Sequence, residues 1–97
     1  MTTLERAAAV ACFDELQARL DAARTLTPAT RRAEEATAVI RFCVSRLNAA
    51  RTGREWLPAD LTIAYDRLHA RATKARLDYN EQSVREARAT LPWRYNA

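Results

Sequence analysis

The side chains that most often carry catalysis or bind metals are few and far apart in this sequence. Cys12 and Cys43 are 31 residues apart, which is not the C-x-x-C spacing of zinc or thioredoxin-type sites, and His69 is the only histidine. Ser45 and Ser83 lack the flanking glycines of a nucleophile elbow. We therefore expect that the protein is not an enzyme, that it needs no metal or cofactor, and that both cysteines are packing residues.

The net charge of +4 comes almost entirely from arginine, because Lys74 is the only lysine. Acidic residues are interleaved with the arginines, whereas nucleic-acid binding needs positive potential clustered on one face. The pattern therefore favours solvated helix faces over a nucleic-acid-binding surface. The nearest approach to a basic patch is a run of four arginines: Arg41, Arg46, Arg51 and Arg54.

Composition favours an all-helical fold in a single domain. Glycine occurs once and proline three times, which is too few for a fold made of short strands and turns. Ninety-seven residues are enough for one domain, residues 1–97. No apolar run is long enough to cross a membrane, and residues 1–6 do not resemble the start of a signal peptide, so we expect a cytoplasmic protein.

Apolar residues recur at helical spacing in four segments. A capping box at Thr2 and Glu5 predicts a first helix that ends near Arg24. Thr27 and Pro28 predict the start of a second helix, and Gly53 predicts its end. The sequence then predicts a third long helix over 57–78 and a short fourth helix over 80–91, before Pro92.

Short connections make consecutive helices antiparallel neighbours. We therefore predict an antiparallel up-down four-helix bundle, with three long helices and a short C-terminal one. The apolar seam of the second helix alternates steps of three and four residues, and we expect it to face the core: Ala33, Ala36, Ile40, Cys43, Leu47 and Ala50.

Two helices carry a second apolar stripe away from these seams. On the second helix, Phe42 shares a side with Ala38 and Ala49, and on the third helix Ile63, Ala70 and Leu77 recur every seven residues. One interpretation is that both helices are central and contact neighbours on two sides. The other is that the stripes form an exposed groove for a partner segment. In that case the partner-binding residues are Phe42, Ala38, Ala49, Ile63, Ala70 and Leu77.

The third predicted helix contains Leu61-Thr-Ile-Ala-Tyr65-Asp66, which resembles the Leu-x-x-Leu-Tyr-Asp-Tyr pattern of the flagellar FliS family. The similarity extends over nearly the whole chain. Phe13-Asp14 stands where the family has Leu-Tyr-Asp-Gly, and Ser45-Arg-Leu47-Asn48 resembles its Ser-Leu-Asp. The last predicted helix is similar through Asn80, Val84, Leu91 and Trp93.

This resemblance implies a flagellin-binding export chaperone. Such a protein holds the apolar C-terminal segment of flagellin in the cytoplasm before type III export, and it requires no cofactor. Two alternatives remain open at this point: a small structural or regulatory helical protein that self-associates, as a homo-oligomer, through the same stripes, and a weak nucleic-acid binder.

Overall fold

The computed structural model describes residues 3–90, which form three α-helices and no strand. Helix α1 is Thr3–Ala23, α2 is Ala29–Arg51 and α3 is Ala59–Thr90. The all-helical prediction is confirmed. The capping residue Thr2 and the predicted C-terminal positions Leu91, Pro92 and Trp93 lie outside the described residues.

The predicted fourth helix is not confirmed, because residues 80–90 continue α3 without a break. Asp78 and Asn80 are good capping residues in isolation, yet both lie inside this 32-residue helix. The reason is tertiary: Tyr79 packs against the core, and Glu86 accepts a hydrogen bond from the Ala29 amide of α2. Packing against α2 outweighs the local preference for a helix end.

The start of α2 is capped from a distant part of the chain. The Thr27–Pro28 peptide bond is cis, and Pro28 occupies the N-cap position without a side-chain hydrogen bond. Instead the Ala29 amide donates to Glu86 Oε2 of α3 at 3.0 Å. At the other end of α2 the prediction is confirmed, because Gly53 has the left-handed φ of +75° and closes the turn.

The three helices alternate in direction, and α2 and α3 are the most closely packed pair. Helix α1 lies against both. It is parallel to α3, since Arg6 pairs with Asp60 and Asp21 with Arg71. The Phe13 and Tyr65 rings meet edge to face with centroids 5.2 Å apart, which fixes α1 against the middle of the bundle.

The core is thin and rich in alanine. The predicted seam of α2 is only partly correct: Ala33, Ala36 and Cys43 are buried, whereas Ile40, Leu47 and Ala50 are half-buried. The buried face is centred on Val39 and Cys43, because α2 must contact α1 and α3 at the same time. Ile40 lies about 100° further round the helix, at the edge of this face. The buried residues are Leu16, Leu20, Ala23, Ala29, Ala33, Ala36, Val39, Cys43, Leu61, Tyr65, Leu68 and Ala72.

The described part of the chain is a rod of 62 × 23 × 16 Å. None of its helices combines the length and apolar character that crossing a membrane would require.

Candidate partner-binding surfaces

The second apolar stripes are exposed. Phe42 is 50% exposed, Ile63 52% and Leu77 60%, and Ala70 is exposed as well, while Ala38 and Ala49 are half-buried. Within residues 3–90 the interpretation as core contacts on a second side is therefore wrong for α3, whose stripe residues are all exposed. Helix α2 does contact both α1 and α3, and its stripe residues are half-exposed or half-buried.

Phe42 lies in a cleft between α1 and α2. The cleft has a volume of about 160 Å³, and Leu16 gives it an apolar wall. Ala38 is not part of it: this residue borders a shallow depression on the other side of α2, which Asn80 of α3 also lines. We call the first feature the α1–α2 cleft and define it by Cys12, Glu15, Leu16, Arg19, Phe42 and Arg46.

The rim of the α1–α2 cleft is held by an arginine stacked on the aromatic ring. The Arg19 guanidinium carbon is 5.5 Å from the Phe42 ring centroid, and the same guanidinium pairs with Glu35 of α2. The stacking contributes about 0.5 to 1 kcal/mol at an exposed position. Because Arg19 is fixed by both contacts, the ring is held at the mouth of the cleft with one face partly uncovered.

A polar cluster around Arg46 also lines the cleft. Its guanidinium donates to Cys12 Sγ at 3.0 Å and to Glu55 Oε2 at 2.7 Å. The hydrogen bond to Glu55 raises the pKa of Arg46, although partial burial opposes the shift. Sequence analysis missed this cluster, because only the fold brings Cys12, Arg46 and Glu55 together.

Beneath this cluster, Tyr65 and Cys43 are buried in the core. Burial raises the pKa of both groups, that of the Cys43 thiol to about 11. Hydrogen bonding to Cys12 raises the pKa of Tyr65 as well. A thiol that stays protonated and enclosed does not act as a nucleophile, so Cys43 serves as a packing residue, as predicted.

The other predicted residues lie on the face of α3 that points away from α1 and α2. Ile63 is about 180° around the helix from the buried Ala72. Val84, which is 50% exposed, continues the same seven-residue spacing. We call this feature the α3 outer stripe and define it by Ile63, Ala70, Leu77 and Val84.

The structure does not bring the two sets of predicted residues together. On α2, Phe42 is turned toward Arg19 of α1, on the side away from α3. The α3 outer stripe faces in the opposite direction. A single bound segment can therefore contact the α1–α2 cleft or the α3 outer stripe, but not both.

A second polar cluster joins the start of α2 to the end of α3. Arg32 is largely buried, with 13% of its side chain exposed, and its guanidinium carbon lies 5.5 Å from the Tyr79 ring centroid. It donates to the carbonyl of Leu26 at 2.7 Å and to Gln82 Oε1 at 2.9 Å. Glu86 completes the cluster. None of the buried side-chain nitrogen or oxygen atoms in residues 3–90 lacks a hydrogen-bond partner, and this cluster joins two helices, so it serves the fold.

The remaining arginines do not form an unbroken basic patch. Arg46 is engaged by Glu55, and the Arg54 guanidinium donates to the Thr52 hydroxyl at 3.1 Å. Within residues 3–90 no three His, Cys, Asp or Glu side chains are grouped so that they could hold a metal ion.

No protein-family model, curated protein or solved structure matches this chain. Among the residues predicted to bind a partner, Phe42 lies in the α1–α2 cleft, and Ile63, Ala70 and Leu77 lie on the α3 outer stripe.

Proposed function

We propose that this protein is a chaperone that binds the apolar C-terminal helical segment of flagellin in the cytoplasm before type III export, with the apolar face of that segment in the α1–α2 cleft. The observation that carries the proposal is Phe42, a half-exposed aromatic side chain at the mouth of a cleft. The sequence resemblance supplies flagellin as the partner.

The apolar part of the cleft favours binding of an amphipathic helix. Covering the exposed half of Phe42 contributes about 1 kcal/mol, and a partner side chain that enters beside Leu16 adds a similar amount. Because a helix presents apolar residues at every third or fourth position, further contacts along α1 and α2 extend the interface. The total must exceed the entropy lost when the segment becomes ordered.

The rim of the cleft favours acidic residues beside the apolar face of the partner. Arg19 and Arg46 border the cleft on either side of Phe42, and carboxylates of the segment can share these guanidinium groups with Glu35 and Glu55. Such contacts at the rim set orientation more than affinity.

The proposal is tested with a single charge placed in the cleft. We expect Phe42→Glu to abolish co-elution of the protein with purified flagellin, because the change removes the aromatic surface that the segment covers and the new carboxylate can pair with Arg19 or Arg46 in the cleft. Val44→Glu is the matched control: Val44 is 40% exposed, lies on the same helix and is about 160° away from Phe42. This control should bind as the unmodified protein does.

Circular dichroism of both variants shows whether the helices remain. Loss of binding by a folded Phe42→Glu protein, with binding retained by Val44→Glu, supports the proposal. Full binding by Phe42→Glu, or no binding of flagellin by the unmodified protein, contradicts it.

A further inference from the structure

The α3 outer stripe is a regular, exposed line of apolar residues on the longest helix. Its four members are spaced by seven residues and extend over about 31 Å of helix. A strict seven-residue spacing drifts slowly around an α-helix, which is the pattern of helices that pack side by side at a shallow angle.

The stripe residues on either side of a point between Thr73 and Lys74 complement each other in size. If α3 lies antiparallel to a copy of itself about that point, Ile63 meets Val84 of the second copy. Ala70 then meets Leu77 of the second copy. The smallest residue of the stripe, Ala70, thus faces the larger Leu77, as in a well-packed helix interface.

The charges on one flank of the stripe are complementary about the same point. In the antiparallel arrangement Arg67 lies beside Glu81 of the second copy, and Asp60 lies beside Arg88 of the second copy. Lys74 meets its own copy at the centre, and each Lys74 is compensated by Asp78 at 3.1 Å. The flank consists of exposed residues one heptad apart: Asp60, Arg67, Lys74, Glu81 and Arg88.

We propose that two copies of this chain associate through the α3 outer stripe, with the two α3 helices antiparallel. The interface is isologous, so each favourable contact occurs twice. A parallel pair in register would place Ala70 against Ala70 and Leu77 against Leu77, which leaves a gap at one level and a clash of large side chains at the other. This face is opposite the α1–α2 cleft, so the proposal holds whether or not flagellin is the partner.

A charge exchange tests the pairing. In sedimentation equilibrium, the average mass of the unmodified protein should reach twice the chain mass of 11.0 kDa. The concentration series should extend to about 1 mM, so that a weak dimer also forms. Arg67→Glu and Glu81→Arg should each weaken the dimer about tenfold, because each change creates two repulsive pairs. The double variant Arg67→Glu/Glu81→Arg should restore it.

A monomer at every concentration would overturn the proposal. So would a dimer whose dissociation constant is the same in both single variants, or a double variant as weak as the single ones. Restoration of the dimer in the double variant supports the antiparallel contact, because it reinstates opposite charges at the same two positions.

Disulfide cross-linking tests the direction of the helices. Lys74→Cys should form a covalent dimer with itself, Arg67→Cys alone should not, and a mixture of Arg67→Cys with Glu81→Cys should. The unmodified protein controls for Cys12 and Cys43. A covalent dimer of Arg67→Cys with itself would indicate parallel helices and overturn the proposal.

Discussion

Cys43 is a buried residue that contributes to the stability of the fold and makes that stability depend on pH. The thiol is fully enclosed, and burial raises its pKa from 9.0 to about 11, since the thiolate would lose its hydration. The unfolded chain releases this proton near pH 9, whereas the folded chain retains it to about pH 11. The contribution to stability is thus complete below pH 9 and is lost as the pH rises through 11.

We predict that the free energy of unfolding decreases by about 2 kcal/mol more in the unmodified protein than in Cys43→Ala between pH 9 and pH 11. Urea denaturation at the two pH values measures this difference. Burial also raises the pKa of Tyr65. Because Tyr65 is present in both proteins, its contribution to the pH dependence cancels in the comparison. Equal pH dependence of the two proteins would show that Cys43 is not enclosed in solution.

Cys43 was predictable from the sequence, but its neighbours were not. Its position on the apolar stripe of α2 predicts burial, and this is confirmed. The hydrogen bonds of Cys12 to Arg46 and Tyr65 depend on three helices meeting at one point, and helical spacing contains no information about such a meeting. The position of Arg19 above Phe42 was not predictable either. Helical spacing predicted that Phe42 lies away from the core-facing seam of α2, and only the fold shows the Arg19 guanidinium beside it.

At the scale of elements, a hydrogen bond between residues 57 positions apart in the sequence completes the start of α2. Glu86 accepts hydrogen bonds from the Ala29 amide and from Arg32, so it replaces the N-cap that Pro28 cannot provide. A carboxylate near a helix N-terminus also interacts favourably with the helix dipole.

We predict that Glu86→Ala lowers the free energy of unfolding by about 1 kcal/mol, as loss of an N-cap does. Glu86→Gln should lose less, because its amide oxygen can still accept the Ala29 hydrogen bond. Amide exchange at Ala29 should accelerate in the alanine variant.

Asp78→Ala is the control for this prediction. Asp78 is an exposed carboxylate of the same helix whose partner is Lys74 one turn away, and such pairs contribute about 0.3 to 0.5 kcal/mol. If the Glu86→Ala and Asp78→Ala proteins are equally stable, Glu86 does not cap α2 in solution.

The same contact explains where prediction of the helices succeeded and failed. The limits of α1 and α2 follow from Pro28 and Gly53, which act locally. The predicted break at Asp78 and Asn80 was wrong, because Tyr79 and Glu86 are held against α2 from residues about 50 positions earlier in the chain. A capping preference of about 1 kcal/mol is easily outweighed by such packing.

At the scale of the whole molecule, the described chain is elongated. Its radius of gyration is 17.2 Å, compared with about 12 Å for a compact domain of similar length. A rod exposes much surface for the core it contains, and five of the twelve buried residues are alanines. Each alanine buries little apolar area, so the larger side chains at the centre of the rod provide most of the stability.

The burial pattern of α1 leads to a prediction about local unfolding. Its three buried residues, Leu16, Leu20 and Ala23, all lie in its C-terminal half, and Leu4 at the other end is 80% exposed. We predict that amide hydrogens of residues 7–11 exchange first, ahead of those around Val39 and Leu68. Hydrogen exchange followed by mass spectrometry measures this order, and uniform protection along the three helices would contradict it.

The contact between Glu86 and Ala29 also has a consequence for synthesis on the ribosome. The two residues are separated by 57 positions, and translation at about 5 to 20 residues per second needs about 3 to 11 s to cross that interval. Helices form in about a microsecond. For most of that time the nascent α1 and α2 have only each other to pack against. Tyr65 and Leu68 are synthesised before Glu86, which secures the first turn of α2. The α2–α3 hairpin therefore closes from its loop toward its open end, and the Glu86 carboxylate completes it.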